Sequence, residues 1–399
     1  MPVRSFSPLS QAPLNPDPVI SDTDRLHGLD LLRGIAIVWV MLFHSFVVGG
    51  LGPDWAWLSR YGWMGVDLFF VLSGFLIGTQ VLTSLKHEGR LSLHDFYLRR
   101  AFRILPAYWA VLLMYLVWPG FREAPGMEPG WKFAAFVLNL SIDYLSNTGF
   151  SHAWSLCVEE HFYLLFPLLA ALFMRRPAVW KFTALCIFLV LAGVALRSIV
   201  MLHNIAVDPG FERAWFIEDI YYPTWNRLDG LLAGVVLAAC KVLRPQAWAN
   251  ARRYADMSLL LGVAVIALAF WLFRDRVGLP GNTIGWPVLS AGLGLIVFAG
   301  AGRDSLIGRW SVPGVKSLAT ISYSLYLVHK AIFHVVQVRW GEDLAGKGLA
   351  AFLAYGAAAI AAGAVLHYSV ERPFLRLRER LALYRRSQAT PASAEGVSP

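Results

Sequence analysis

Residues 29–50 read LDLLRGIAIVWVMLFHSFVVGG, and this stretch decides the fold class. A membrane-spanning helix needs about 20 mostly apolar residues, and the stretch is long enough to supply them. Similar stretches recur along the 399-residue chain, which is 57% hydrophobic and only 15% charged. Soluble domains carry about 45–50% apolar and about 25% charged residues. The composition therefore excludes a soluble enzyme, a secreted disulfide module and a disordered protein, and it predicts an all-α polytopic membrane protein.

Ten segments are predicted to span the membrane. They are residues 30–50, 63–84, 102–119, 152–174, 180–201, 226–241, 256–273, 284–301, 320–338 and 348–370. We expect three parts, namely a disordered cytoplasmic arm (1–27), a ten-span domain (28–375) and a cytoplasmic tail (376–399) that is basic and then disordered.

The three cysteines fit neither a disulfide framework nor a metal site by number or spacing, so no metal is expected.

The basic residues predict how the chain is oriented in the membrane. With the N-terminus in the cytoplasm, the inner segments contain 23 of the 35 Lys and Arg residues and the outer segments contain 8. Positively charged loops favour the cytoplasmic side. Both termini are therefore predicted to be cytoplasmic, in what we expect to be a bacterial inner membrane. Because the bilayer explains this positive charge, no nucleic-acid partner is expected.

Ionisable side chains inside the predicted spans are the most informative residues. The set comprises Arg33, His44, Asp67, Glu159, Arg227, Asp229 and His329. A charge at mid-bilayer costs at least about 2.5–3.5 kcal/mol on insertion scales. These groups must therefore face the bundle interior, pair with one another or line a wet cavity. For Asp67, Arg227 and Asp229, structural pairing and a part in a functional site are both open.

His44 is a candidate general base, because a histidine near neutral pH can take a proton from an alcohol. It follows Arg33 by eleven residues, so an unbroken helix places the two on nearly the same face, roughly 16 Å apart. Ser155 and Glu159 are one helical turn apart and share a face. A carboxylate such as Glu159 can orient a catalytic histidine. The alternative for His44 is a purely structural interior histidine.

A cluster of arginines, Arg99, Arg100 and Arg103, comes just before the third predicted span. Arg100 and Arg103 are three residues apart on one helix face, and such a pair can grip a phosphate bidentately. The alternative is ordinary anchoring at the cytoplasmic surface. Glycines four residues apart, at 74–78 and 230–234, indicate close helix contacts.

Seven motifs follow one another between about residues 28 and 375. They are LDLLRGIA (29–36) with His44, GVDLFFVLSGFLI (65–77), FYLRRAFRILP (96–106), WSLCVEEHFYLLFP (154–167), RLDG (227–230), ISYSLYLVH (321–329) and ERPF (371–374). In this order they resemble the acyltransferase-3 family of membrane O-acyltransferases. One departure is His161, which stands where many relatives have glutamine.

The resemblance implies a ten-span core that takes an acyl group, often acetyl, from a coenzyme A thioester. The acceptor is then a hydroxyl of a glycan, a lipid-linked sugar or a macrolide-type metabolite. The resemblance also implies three signatures, formed by Arg33 with His44, by Arg100 with Arg103, and by Ser155 with Glu159. It implies an acyl-CoA donor substrate and no tightly bound cofactor. We expect a stand-alone form without the fused extracytoplasmic esterase-like domain of some relatives.

These observations together predict acyl transfer inside the bundle. Arg100 and Arg103 hold the donor phosphates, and His44 acts as general base with Glu159 orienting it. In this scheme Arg33 or Arg227 stabilises the charge that develops during the reaction. The alternative mechanism is a covalent relay through His44 or Ser155. The alternative function is a permease or exporter of a small polar or anionic solute, which needs neither the arginine pair nor a thioester. The acceptor, the acyl length and the oligomeric state stay open.

Overall fold

The computed structural model describes residues 26–389, with side chains described to residue 381. Residues 1–25 of the predicted arm and residues 390–399 of the predicted tail lie outside the described residues. Within the described part, the secondary structure consists of helices and turns, without a strand.

A helix occurs over each of the ten predicted spans. In chain order these helices are α1 (His27–Phe43), α2 (Met64–His87), α3 (Leu93–Val117), α4 (Trp154–Met174), α5 (Val179–Val207), α6 (Leu228–Leu243), α7 (Ala255–Leu272), α8 (Trp286–Gly300), α9 (Val315–Leu344) and α10 (Gly348–Leu366), and α11 (Arg372–Ala389) follows them. Eight helical segments of the described chain are long and apolar enough to cross a membrane on their own. The two spans not among these eight are α6, with only 16 residues, and α9, which carries His329 and Lys330 within its length. The chain is a polytopic all-α membrane protein.

Short helical turns connect the spanning helices. They comprise short α-helices (Ala56–Arg60, Gly130–Ala134, Pro245–Arg252, Leu306–Arg309), 3₁₀ turns (His44–Val48, Pro53–Trp55, Pro119–Phe121, Leu138–Leu140, Ser151–Ala153, Thr224–Asn226) and π-helical turns (Phe216–Tyr221, Gly281–Gly285, His367–Glu371). π-turns widen a helix locally and are frequent at functional sites. The turn at 281–285 has a structural role, because the Asn282 carbonyl accepts a hydrogen bond from Arg197 Nε at 3.1 Å.

Among the helix ends that differ from the predicted span limits, two affect the arginines and the histidine singled out above. Helix α3 begins at Leu93, well before residue 102, because the Ser92 hydroxyl caps it by accepting a hydrogen bond from the Asp95 amide at 3.3 Å. The arginine cluster is therefore part of α3 and does not precede it. Helix α1 ends at Phe43, and His44 begins a 3₁₀ turn. The expected unbroken helix from Arg33 to His44 thus stops one residue short.

Glycines bring α2 and α6 into backbone contact. A Cβ atom added at Gly74 would lie 2.1 Å from the Leu231 carbonyl oxygen, and one added at Gly234 would lie 2.2 Å from the Val71 carbonyl oxygen. Only residues without a side chain allow so close a crossing. The helix contacts that the glycine spacing indicates are therefore present, and the two motifs pack against each other.

The structure suggests where to test the predicted orientation. Glu88, between α2 and α3, and Glu212, between α5 and α6, are both exposed. The charge in the loops predicts that the first lies in the cytoplasm and the second outside. Single cysteines at these positions, in a background lacking the three native cysteines, are to be probed on intact cells with a membrane-impermeant thiol reagent. We expect labelling at position 212 and none at 88 until the cells are opened; the reverse pattern would invert the topology.

Candidate active site

Two cavities in the bundle are lined by six of the predicted site residues, with Arg33, Arg100, Arg103, Ser155 and Glu159 at one and His44 at the other. The larger one, of about 320 Å³, is the arginine cavity, and its polar lining residues are Arg33, Ser73, Gln80, Arg100, Arg103, Ser155, Glu159, Glu160, Tyr163, Ser322, Tyr323 and Tyr326. The smaller one, of about 70 Å³, is the histidine cavity, and its polar and aromatic lining residues are Phe43, His44, Phe46, Trp63, Tyr144, Ser151, His152, Trp154, Tyr221, Tyr222, Arg276, Tyr326 and Lys330. Val66 and Tyr326 line both cavities and form the partition between them.

The arginine pair lies on α3 and faces the arginine cavity, as the spacing predicts. Arg100 donates a hydrogen bond from Nη2 to the Gln80 side-chain oxygen at 2.9 Å, and its guanidinium lies 5.7 Å from the centre of the Tyr163 ring. The Arg100 Nε atom is buried without a hydrogen-bond partner. Arg103 lines the same cavity. The pair therefore retains hydrogen-bonding capacity that an anionic ligand can use.

Ser155 and Glu159 also line the arginine cavity, but their side chains bond to different partners. Glu159 accepts a hydrogen bond from the Ser73 hydroxyl at 2.5 Å. The Ser155 hydroxyl lies 2.6 Å from the Tyr326 hydroxyl and 3.3 Å from the His152 carbonyl oxygen. Neither an imidazole nor a carboxylate is hydrogen-bonded to Ser155 within the described part of the chain. The serine therefore has no base to activate it as a nucleophile.

His44 is hydrogen-bonded to a second histidine. Its Nδ1 lies 2.8 Å from Nε2 of His329, whose own Nδ1 lies 2.7 Å from the Tyr326 carbonyl oxygen. A carbonyl only accepts, so the His329 Nδ1 carries a proton, and Nε2 of a neutral His329 is an acceptor. His44 must then donate from Nδ1, which leaves its Nε2 unprotonated. The network thus assigns His44 the tautomer of a proton acceptor beside the histidine cavity.

The partner of His44 differs from the expected one. Glu159 was expected to orient this histidine, but it lines the other cavity and bonds to Ser73. Arg33 also lines the arginine cavity and lies 3.6 Å from Asp30. Arg33 and His44 therefore belong to different cavities, although they are close in sequence. The sequence marks His329 only as a buried polar residue, but in the structure it is the hydrogen-bond partner of His44.

A buried ion pair beside the histidine cavity was missed by sequence analysis. Lys330 lies 2.8 Å from a Glu123 carboxylate oxygen and donates to the Ser151 hydroxyl at 3.2 Å. Glu123 also accepts hydrogen bonds from the Tyr115 hydroxyl at 2.8 Å and from the Phe150 amide at 3.2 Å. Glu123 comes from a connecting segment with no motif, so nothing in the sequence marks it as the partner of a lysine on α9.

The remaining buried charges support the bundle and line neither cavity. Arg227 pairs with Asp67 at 2.8 Å, and its guanidinium lies 3.8 Å from the centre of the Trp286 ring. Asp229 pairs with Arg197 at 2.8 Å. All three of these sequence-predicted residues are therefore in ion pairs with a partner of opposite sign. Arg227 is not among the residues that line the histidine cavity with His44.

Aromatic residues form much of the wall of the histidine cavity. The rings of Trp154 and Tyr222 stack with their centres 4.9 Å apart, and Trp63 lies edge-on to Tyr221 at 6.1 Å. Burial raises the pKa of the Tyr222 hydroxyl well above its usual range, so this group stays protonated and neutral. Such a wall can pack against the apolar face of a sugar ring while hydroxyl groups bind its polar edges.

Comparison with known proteins identifies relatives over most of the chain. The family model described as an acyltransferase domain, Acyl_transf_3, matches residues 26–368. The chain is 27% identical over 324 residues to the O-acetyltransferase OatA of Staphylococcus aureus, a match that covers 77% of this chain and 50% of that protein. It is 28% identical over 322 residues to the peptidoglycan O-acetyltransferase OatA of Listeria monocytogenes, with 76% and 49% covered. The chain thus spans about half the length of these curated relatives. No solved structure matches it.

Breaking the Glu123–Lys330 pair on one side only is expected to destabilise the protein strongly. Removing one partner of a buried pair leaves an uncompensated charge, at a cost of about 3–5 kcal/mol. Glu123→Gln and Lys330→Met should each lower the unfolding temperature of the purified protein strongly, and the double variant should lose less than the sum. The matched control is Asp256→Asn with Arg309→Met, an exposed pair 3.8 Å apart, for which we expect less than about 1 kcal/mol. Strict additivity for Glu123 and Lys330 would contradict their coupling.

Proposed function

The chain belongs to the acyltransferase-3 family, and on that premise we propose that it transfers an acetyl group from acetyl-CoA to a hydroxyl of a glycan-type acceptor. The observation that carries the proposal is the position of His44. His44, whose Nε2 is unprotonated in the tautomer given above, lines a cavity that shares Val66 and Tyr326 with the arginine cavity. A proton acceptor thus lines a cavity next to one suited to an anionic donor.

The donor is proposed to enter the arginine cavity. Arg100 and Arg103 bind its phosphates, since guanidinium groups match phosphate oxygens bidentately. A volume of about 320 Å³ is at the lower end of the range for ligand sites, about 300–1,000 Å³. It accommodates the narrow pantetheine arm, and the nucleotide stays at the mouth. Arg33, from α1, adds a third cation to the same wall.

The chemical step is proposed to take place where the two cavities meet. The acceptor hydroxyl oxygen attacks the thioester carbonyl carbon, and His44 Nε2 takes the hydroxyl proton. The carbon–sulfur bond breaks, and the proton passes from His44 to the leaving thiolate to give free coenzyme A. His329 acts as a positioning residue, because its hydrogen bond with His44 Nδ1 fixes the tautomer that leaves Nε2 available.

Tyr326 must move for the thioester to reach His44. In the structure its hydroxyl is bonded to Ser155 and to the His152 carbonyl, at 2.6 and 2.9 Å. These bonds hold the side chain across the partition. Ser155 therefore contributes by holding Tyr326 in this partition. Glu159 contributes by its hydrogen bond with Ser73, which holds α2 and α4 together around the donor. Because Ser155 has no base, direct transfer with His44 as general base is preferred over an acyl-serine relay.

A glycan acceptor is supported by two observations. The Listeria monocytogenes relative is named a peptidoglycan O-acetyltransferase. The aromatic wall of the histidine cavity, with Trp63, Trp154, Tyr221 and Tyr222, suits the face of a sugar ring. The acceptor of this chain is proposed to be of the same broad class.

Loss of the His44 imidazole should abolish transfer without preventing folding. General acid–base catalysis contributes about 10²–10⁴-fold to rates, so His44→Ala should lower kcat by at least about 100-fold. His329→Ala should give a smaller loss of kcat, because the base remains but loses its orientation. Transfer of radiolabelled acetyl from acetyl-CoA by purified protein is the measurement.

The matched control for these variants is His203→Ala, which removes an exposed histidine of α5. It should behave as the wild-type protein. Near-normal transfer by His44→Ala would remove His44 from the mechanism, and inactivity of the wild-type protein would remove the proposed function.

The arginine pair should determine donor affinity. Arg100→Gln and Arg103→Gln each remove a charge-assisted hydrogen bond worth about 1.5–3 kcal/mol, so KM for acetyl-CoA should rise about tenfold or more. KM for S-acetylpantetheine, which lacks the nucleotide phosphates, should change little. Arg90→Gln, in the exposed turn before α3, is the control. An equal rise in KM for both donors would indicate that the arginine pair only anchors the protein at the membrane surface.

A further inference from the structure

Arg276 gives the histidine cavity a positive charge without an acidic partner. It comes from the segment between α7 and the π-turn at 281–285 and lines the cavity together with His44. Its guanidinium lies 5.0 Å from the centre of the Phe43 ring, 5.4 Å from that of Trp63 and 4.9 Å from that of Tyr221. No carboxylate of the described residues lies within ion-pair distance of it, and its Nε atom has no hydrogen-bond partner.

The other charges of this region are neutralised. Lys330, the second cation of the cavity wall, pairs with Glu123 at 2.8 Å. The two deeply buried arginines, Arg197 and Arg227, each pair with an aspartate at 2.8 Å. No Asp or Glu of the described chain lines the histidine cavity. The cavity therefore has one surplus positive charge, contributed by Arg276.

Arg276 is half-buried, and a surplus charge in such a position is costly unless a counter-charge arrives. Aromatic rings partly stabilise a guanidinium, by about 0.5–2 kcal/mol, but they do not neutralise it. Arg100 provides a comparison, because it is hydrogen-bonded to the neutral Gln80 and faces a cavity proposed to receive phosphate, although Glu159 and Glu160 also line that cavity. The histidine cavity has no carboxylate in its described wall, so the charge of Arg276 favours an anionic ligand more strongly there.

We propose that the acceptor is anionic, with a carboxylate or a phosphate close to the hydroxyl that is acylated. The anionic group binds Arg276, the sugar ring packs against the aromatic wall, and the hydroxyl faces His44. A guanidinium suits both anions, because its N–H groups match two oxygens at once. The cavity, of about 70 Å³, receives only this end of a larger acceptor. The inference rests on the proposed function, since it takes the acceptor to enter the histidine cavity.

The test uses the full chain in lipid nanodiscs and three matched glycosides. Methyl glucoside is neutral, methyl glucuronide carries a carboxylate, and methyl glucoside 6-phosphate carries a phosphate. Binding is measured by calorimetry without acetyl-CoA, and transfer is measured as kcat and KM with acetyl-CoA. The variants are Arg276→Gln and Arg276→Lys. The matched control is Arg274→Gln, an exposed arginine of the same segment that lines neither cavity.

The wild-type protein should bind at least one anionic glycoside about tenfold or more tightly than the neutral one, the effect of one charge-assisted contact. Arg276→Gln should abolish this preference by raising Kd and KM for the anionic glycoside, with kcat little changed. Arg276→Lys should keep part of the preference, and Arg274→Gln should keep all of it. The anion that Arg276→Gln weakens, carboxylate or phosphate, identifies the acceptor's charged group.

Other results would overturn the inference. The inference would be overturned if the wild-type protein bound neither anionic glycoside more tightly than the neutral one. An equal fall in kcat for all three glycosides in Arg276→Gln would do so as well, because Arg276 would then act on charge in the transition state. Transfer without anion preference leaves the proposed function standing and removes the inference. Anion-selective binding that depends on Arg276, without any transfer, supports the inference and removes the proposed function.

Discussion

An ionised side chain away from water must have a partner, and this constraint governs the interior of the protein. Each unpaired charge would cost several kcal/mol in the bundle. The pairs that relieve this cost join separate parts of the chain, such as Asp67 on α2 with Arg227 at the start of α6, 2.8 Å apart. The glycine crossing at Gly74 and Gly234 supplies the close approach that this pair requires. Ion pairing and helix packing therefore specify the same neighbours.

The same constraint helps to distinguish charges that stabilise the fold from charges that are available to a ligand. Arg197 and Arg227, each paired with an aspartate, line neither cavity, whereas Lys330 lines the histidine cavity but is neutralised by Glu123. Arg100 and Arg276 have no acidic partner within the described residues, and each lines a cavity. A guanidinium held by neutral side chains at a cavity wall is prepared for an anionic ligand. The two cations lie on opposite sides of the partition at Tyr326, which is where a reaction between two anionic substrates would need them.

Hydrogen bonding in the partition links the two cavities chemically. The backbone carbonyl of Tyr326 fixes the tautomer of His329, which in turn fixes that of His44, while the Tyr326 hydroxyl bonds to Ser155. One residue thus borders both cavities, holds Ser155 and orients the histidine pair. In the proposed reaction, a closed partition would keep the thioester away from His44 until the acceptor is in place.

The sequence by itself determined the class, the positions of ten helices and several of the interior ionisable residues, and it indicated the family. These properties are local, because a run of about 20 apolar residues must form a helix in lipid whatever its neighbours are. Only the tertiary structure decided the partners: His44 with His329 and not Glu159, and Glu123 with Lys330. Those residues are far apart in the chain or separated by a partition, and their contacts depend on how the helices pack. Hydropathy is summed along a sequence, whereas a hydrogen bond or an ion pair requires two groups to meet in space.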